Sequence, residues 1–165
     1  MHPSGQEKFI ELVEAHQGLL NQLCRVYFSR MEDQMDARQE VLLQLWKAFP
    51  NFRGDSKFST WMYKVALRTI LTKVRNNQKH RSQVALQNAD RIENPPHFLV
   101  DDDLQLLKQL LNCLSANDKA LVILYLEGYH HEEISTMLNV SVSNVGTRLH
   151  RIKNKLKANY KTLLP

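Results

Sequence analysis

Residues 36–67, DARQEVLLQLWKAFPNFRGDSKFSTWMYKVAL, set the architecture of this chain. Val41, Leu42, Leu45, Trp46 and Phe49 recur at three- and four-residue spacing, the period of an amphipathic helix. Pro50 stops that helix, because its ring removes a backbone donor and clashes with the preceding turn. Asp36 and Gln39 fit a capping box, so the helix is expected to start at Asp33 or Asp36. NFRGDS, residues 51–56, is turn chemistry with a glycine free to take positive φ. A further helix is expected from near Ser56 towards residue 78, turning Phe58, Trp61, Met62, Val65 and Ala66 inward. The first helix offers a polar surface suited to another protein. The loop and second helix interleave aromatics with cations, a surface suited to nucleic acid.

Upstream, Phe9, Leu12, Val13, Leu19, Leu20, Leu23, Val26 and Tyr27 keep helical spacing, predicting one helix over residues 6–29. Downstream, periodicity lapses over residues 82–103, and Asn94-Pro95-Pro96 is a firm helix stop. A flexible linker of that length averages roughly 25 Å end to end and reaches about 70 Å, the span of two DNA turns. Helices resume at residues 104–114. Ser115 with Asp118 then caps a strongly apolar helix containing LVILYL, which Gly128 ends. A short helix over residues 131–138, a left-handed turn at Asn139 and a Ser141-capped final helix, about 24 Å long, complete the pattern. The fold class is therefore all-α. Two small helical domains, 1–81 and 104–165, are joined by a linker over 82–103, and the second domain carries a helix-turn-helix.

Lys and Arg outnumber Asp and Glu by 22 to 17, a net charge of +5, and the placement of the excess is informative. Residues 64–81 carry Lys64, Arg68, Lys73, Arg75, Lys79 and Arg81 and no acid. From Ile134 onward the charges are Arg148, Arg151, Lys153, Lys155, Lys157 and Lys161, again without an acid. Asp90, Glu93 and Asp101 to Asp103 lie between. Two basic stretches around an acidic spacer suit two phosphate footprints. Cys24 and Cys113 have no ligand spacing and read as buried packing in a reducing compartment. No apolar run is long enough to span a bilayer and no secretory core precedes Phe9, so a cytoplasmic protein without membrane insertion is expected. No metal, cofactor or catalytic constellation is expected; His130-His131 has no further ligands at suitable spacing.

In the final helix Val142, Val145, Leu149, Ile152 and Leu156 form one apolar face. The opposite side presents Ser143, Thr147, His150, Arg151 and Asn154, flanked by Asn144, Gly146 and Arg148. Short polar residues near the N-terminus can reach base edges in a major groove while cations hold phosphates.

GYHHEEISTMLNVSVSNVGTRLHRIKNKLK, residues 128–157, resembles the promoter-binding C-terminal region of bacterial sigma factors. Residues 36–67, through FRGDSKFSTWMYKVA, resemble region 2 of the same family. Both matches, in order and separated only by a linker, resemble the extracytoplasmic-function (ECF) group of the sigma-70 family. The resemblance implies region 2 at 1–81 and region 4 at 104–165, with bacterial core RNA polymerase (its β′ and β subunits) and promoter DNA as partners. An anti-sigma protein, common in that group, is a further implied partner.

On the resemblance, Asp36, Gln39, Glu40, Leu43 and Lys47 face the polymerase β′ clamp, with Leu43 a small apolar anchor among polar neighbours. Phe52, Arg53, Lys57, Ser59, Thr60, Trp61, Lys64, Arg68, Lys73 and Arg75 hold the melted −10 strand. A protein without ATP offsets the cost of unpairing by stacking bases and neutralising phosphates. Trp61 fits a core position as well as a stacking platform. Ser143, Asn144, Gly146, Thr147, Arg148, His150 and Arg151 are assigned to the −35 duplex. Three departures stand out. Larger sigma factors carry two adjacent tryptophans where this chain has Trp61-Met62, which implies weaker strand opening and more stringent promoters. Gly146 replaces a frequent Lys or Arg, and His130 replaces the usual serine cap. The competing reading is a stand-alone helix-turn-helix regulator that binds palindromic duplex as a dimer.

Overall fold

The computed structural model describes residues 5–85 and 102–163. The chain divides into two compact units, residues 1–96 and 97–165. Among the described residues every regular element is helical: α1 (Gly5–Ala15), α2 (Gln17–Tyr27), α3 (Met31–Ala48), a 3-10 turn (Phe49–Asn51) and α4 (Phe58–Ala85), then α5 (Asp102–Asn112), α6 (Ala116–Leu126), α7 (His131–Leu138) and α8 (Val142–Leu163).

In the first unit α2, α3 and α4 pack against one another. Leu20 and Leu23 from α2, Ala37, Val41 and Leu45 from α3, and Met62, Tyr63, Ala66 and Ile70 from α4 are sealed from solvent. The single helix expected over 6–29 is two. His16 leaves helical geometry at φ −119°, ψ 15°, its N–H bonding Val13 O at 3.1 Å. Its ring Nδ1 lies 2.7 Å from Leu12 O, which can only accept, so Nδ1 is the donor of this bond. Gly18, a poor helix former, follows at once. The break lets α1 turn so that Phe9 meets Trp46 and Phe49 edge-on, each at 5.1 Å.

Helix α3 starts earlier than the capping box suggested. Arg30 is the extended N-cap, and Glu32 and Asp33 place negative charge in the first turn, where the helix dipole favours it. Asp36 therefore lies inside the helix and is not its cap. Gln34 Nε2 reaches back to Phe28 O at 2.8 Å and ties the α2–α3 connection. Trp46, expected inward, is 45% exposed. Pro50 does end the helix, within the 3-10 turn. Helix α4 continues to Ala85, beyond the expected start of the linker, while residues 86–101 of that linker lie outside the described residues.

The second unit is built around α6, where Ala120 to Leu124 are five consecutive buried residues. Ser115 Oγ accepts from Asp118 N–H at 3.2 Å and starts that helix. Gly128 at φ +86° ends it, a backbone conformation that costs other residues about 1–2 kcal/mol. Glu133 accepts the His130 N–H at 2.8 Å, so α7 is capped through its third residue although a histidine holds the serine position. Asn139 takes the left-handed turn at φ 54°, ψ 49°. Ser141 Oγ accepts from Asn144 N–H at 3.2 Å and opens α8. At 22 residues, about 33 Å, α8 is longer than the expected helix of about 24 Å. Val145, Leu149 and Ile152 are buried beside Ile134 and Met137, whereas Val142, expected inward, is exposed in the first turn.

The two thiols differ. Cys24 is buried, and burial pushes its thiol above the usual value against a weaker pull from Arg38. Cys113, expected inside, is exposed near the end of α5, its Sγ 3.4 Å from Gln109 O. Among the described residues no helix is long and apolar enough to cross a membrane.

Leu43 and Leu45 on α3 separate surface from core within one turn: Leu45 is fully buried and Leu43 is 45% exposed. Leu45→Ala should cost about 2–5 kcal/mol, and Leu43→Ala no more than about 0.5 kcal/mol. Urea unfolding followed by circular dichroism checks both values.

Candidate nucleic-acid interface

Between α3 and α4 the chain folds an aromatic wall. The ring of Trp61 lies 5.0 Å from that of Phe52, 5.5 Å from Phe58 and 6.3 Å from Phe49. Phe49 and Phe52 are stacked at 6.3 Å. Phe58 is buried, whereas Phe52 and Trp61 each keep part of their surface in solvent. Trp61 thus belongs to the packed cluster and to its rim at once. The 3-10 turn delivers Phe52 into this wall, its N–H bonded to Phe49 O at 3.0 Å. Beyond it Gly54 takes φ +79°. Arg53 and Lys57 stand exposed on the turn, with Ser59 and Thr60 half-buried at the start of α4. Aromatic edges beside exposed cations can stack bases and hold phosphates.

Along α4, Lys64, Arg68 and Arg75 are exposed. Lys73 differs, being half-buried and ion-paired with Asp36 of α3. A cation assigned to DNA and a carboxylate assigned to a protein partner therefore satisfy each other. Lys73 also borders an open groove of about 700 Å³, lined with it by Glu40, Gln44, Arg68, Thr69 and Asn76. Gln44 Nε2 donates to Glu40 Oε1 at 2.9 Å. Gln44, Thr69 and Asn76 escaped the sequence reading. Their signal was polar side chains on both helices at positions that the packing of α3 on α4 turns towards a shared groove.

The outer side of α3 exposes Asp36, Gln39, Leu43 and Lys47, while Glu40 is half-buried. Met31 and Met35 stand 68% and 57% exposed, continuing the Leu43 line at four-residue steps through Gln39, with Trp46 nearby on the same helix. A start at Asp33 or Asp36 leaves the first turn, with Met31, outside the helix, and apolar spacing turns Trp46 inward, so this exposed set does not stand out in the sequence. Flexible thioethers on an exposed helix suit an adaptable protein contact.

On α8, Ser143, Asn144, Thr147, His150 and Arg151 are exposed. Asn154 Nδ2 and His150 Nε2 are 3.1 Å apart, so Asn154 steadies the imidazole. Gly146 is half-buried, and a Cβ there would meet the His131 ring at an ordinary 3.9 Å. Crowding therefore does not require glycine. Arg148 turns away from the exposed row: its Nη2 and Nε donate to Asp118 Oδ1 at 2.6 and 3.2 Å. Lys153 lies over the Tyr125 ring, 4.6 Å from its centroid. Lys155 Nζ donates to Cys113 O at 2.8 Å.

The family model for sigma-70 region 2 matches residues 12–80, and that for sigma-70 region 4 matches residues 104–156. An RNA polymerase sigma-H factor of Pseudomonas aeruginosa is 28% identical over 149 residues, covering 81% of this chain and 76% of that protein. The RNA polymerase sigma factor YlaC of Bacillus subtilis is 27% identical, covering 87% of this chain and 86% of its own length. The ECF RNA polymerase sigma-E factor of Escherichia coli is 26% identical, with 75% and 72% covered. Among solved structures, the sigma factor RpoE of Bartonella quintana, in complex with the anti-sigma factor NepR, shares the fold. Its TM-score is 0.76 at 18% identity, covering 96% of this chain and 99% of that one. CnrH in complex with the cytosolic domain of CnrY gives a TM-score of 0.71 at 22% identity, with 96% and 91% covered. With both regions matched in order and ECF proteins among its relatives, the chain belongs to the sigma-70 family of RNA polymerase sigma factors, in the ECF group.

Proposed function

We propose that the chain acts in promoter-specific transcription initiation through three surfaces. The exposed side of α3 docks on core RNA polymerase, with Asp36, Gln39, Glu40, Leu43 and Lys47 joined by Met31 and Met35. The Phe52–Trp61 wall and the cations of α4 hold the melted −10 strand. Helix α8 lies in the major groove of the −35 element, reading base edges with Ser143, Asn144, Thr147, His150 and Arg151. Region 2 corresponds to residues 1–81, the linker to 82–103 and region 4 to 104–165. The protein performs no bond chemistry in this reading and works in the cytoplasm. Binding energy opens the DNA, since each stacked base contributes about 1–3 kcal/mol against the cost of unpairing. An anti-sigma protein is a further proposed partner, supported by the complex in which the Bartonella relative was solved.

The observation that carries this reading is the adjacency of two chemically different faces on one helical pair. An apolar-polar stripe on α3 stands beside the cations of α4, and the Asp36–Lys73 ion pair joins them. A stand-alone regulator could dimerise through an exposed methionine–leucine row, but it has no use for a single-strand site beside it. A factor that couples a polymerase to DNA needs both.

Combining Arg151→Ala with Thr147→Ala should abolish the −35 part of a promoter footprint while association with core polymerase persists; an unchanged footprint would remove α8 from its role. Asp36→Ala combined with Leu43→Ala should weaken polymerase association on a sizing column, and normal co-migration would count against the α3 face. The α4 cations can be separated by salt dependence on single-stranded DNA, using the polymerase complex. Lys64→Ala or Arg68→Ala should each reduce the log–log slope by about 0.7. Lys73→Ala should leave it nearly unchanged, because Asp36 already engages that ammonium.

A further inference from the structure

The recognition helix carries two arginines three residues apart, and the fold uses them in different ways. Arg151 is exposed on the row with Thr147 and His150. Arg148 has a side chain only 20% exposed and spends its charge on Asp118, itself 28% exposed, thirty residues away in sequence. Two guanidinium N–H groups converge on one carboxylate oxygen at 2.6 and 3.2 Å, a charge-assisted arrangement stronger than a neutral hydrogen bond. Asp118 is a fixed anchor for this purpose. Its backbone N–H is held by Ser115 Oγ at 3.2 Å. Its negative charge lies in the first turn of α6, where the helix dipole favours it. Farther along α8, Lys155 donates to Cys113 O at 2.8 Å and Lys153 to Tyr125 OH at 3.3 Å. These contacts lie on exposed groups and are correspondingly weaker ties.

We propose that Arg148 is a positioning residue for promoter recognition and makes no contact with DNA. With Asp118 it clamps α8 to the first turn of α6 and fixes the rotation at which Thr147, His150 and Arg151 meet the base edges. Thr147 immediately precedes Arg148 and Arg151 lies under one turn beyond it, so a roll of the helix at Arg148 moves both readers together. The inference rests on α8 being the −35 reader, and it adds a division of labour between its two arginines.

The sign of one substitution separates the alternatives. Asp118→Asn removes a negative charge beside a DNA-binding helix and frees Arg148. If Arg148 were a phosphate ligand held back by Asp118, that change would tighten DNA binding. If the pair is a clamp, it loosens the readers and weakens specific binding.

The experiment uses the full chain with core polymerase. Duplexes are first enriched from a random pool by the wild-type complex, then compared with scrambled duplexes for Asp118→Asn, Arg148→Lys and Arg148→Ala. The expected result is a drop of about tenfold in preference for the selected duplex, the scale of one misread base pair. Binding to scrambled duplex and the salt slope should be unchanged for Asp118→Asn and Arg148→Lys. Tighter binding by Asp118→Asn would overturn the proposal. So would a slope reduced by about 0.9 in Arg148→Ala, the loss of one phosphate contact. Equal losses on selected and scrambled duplex would reduce the pair to a structural role and overturn it as well. If the wild-type complex enriches no sequence, the reading of α8 itself fails, and that failure is visible before any variant is made.

Discussion

The dry contact of α3 on α4 is the constraint on which the first unit depends. Val41 and Leu45 from one helix and Met62, Ala66 and Ile70 from the other are closed to solvent. Burying those side chains on one side of each helix leaves the remaining faces with no choice but the surface. On α3 that surface is Met31, Met35, Asp36, Gln39 and Leu43; on α4 it is Lys64, Arg68 and Arg75. An apolar-polar face on α3 and a cationic face on α4 are thereby fixed side by side on one helical pair. The Asp36–Lys73 ion pair crosses between them. Exposed on the Asp36 side, such a pair contributes little to stability, and its effect is to hold the Lys73 ammonium between the two helices.

The second unit solves a similar problem with a different core. Helix α6 is buried over five successive residues, so it serves as an axle on which α7 and α8 pack. The left-handed Asn139 and the Ser141 cap set the turn between them. What remains outward on α8 is a short polar row followed by cations, the composition that a major groove accepts. Of the basic residues that make this end look like a phosphate footprint, Arg148 is committed inside the unit and two lysines make weaker contacts at its surface. Arg148, Lys153 and Lys155 bind Asp118, Tyr125 and the Cys113 carbonyl. Net charge alone therefore overstates the number of phosphates this helix can hold.

Much of this was legible in the sequence because local rules decided it. Pro50, the Ser115–Asp118 pair, Gly128, Asn139 and Ser141 each act within a few residues, and helices α6 and α8 begin where those rules place them. The failures share a cause. The break at His16 depends on a ring nitrogen meeting the Leu12 carbonyl, a contact that periodicity cannot register. The early start of α3 rests on first-turn acids in place of a capping box, and so Met31 and Met35 were overlooked. Trp46 and Val142 keep apolar spacing yet point outward, because the spacing of a helix does not say how wide its buried stripe is. Partners distant in sequence, Asp36 with Lys73 and Asp118 with Arg148, left no trace in spacing at all. Helical spacing places these charges on outward faces; it does not say which of them the fold pairs internally.

If this chain lends a polymerase its promoter specificity, transcription in vitro will show it. Purified chain and bacterial core RNA polymerase would be given double-stranded DNA fragments from the host genome, and the RNA 5′ ends mapped. Initiation is expected at a small set of defined positions, each preceded by a shared pair of upstream elements, and none of these starts with polymerase alone. Start sites unaltered by the chain, together with tight binding of palindromic duplex by the chain by itself, would contradict it.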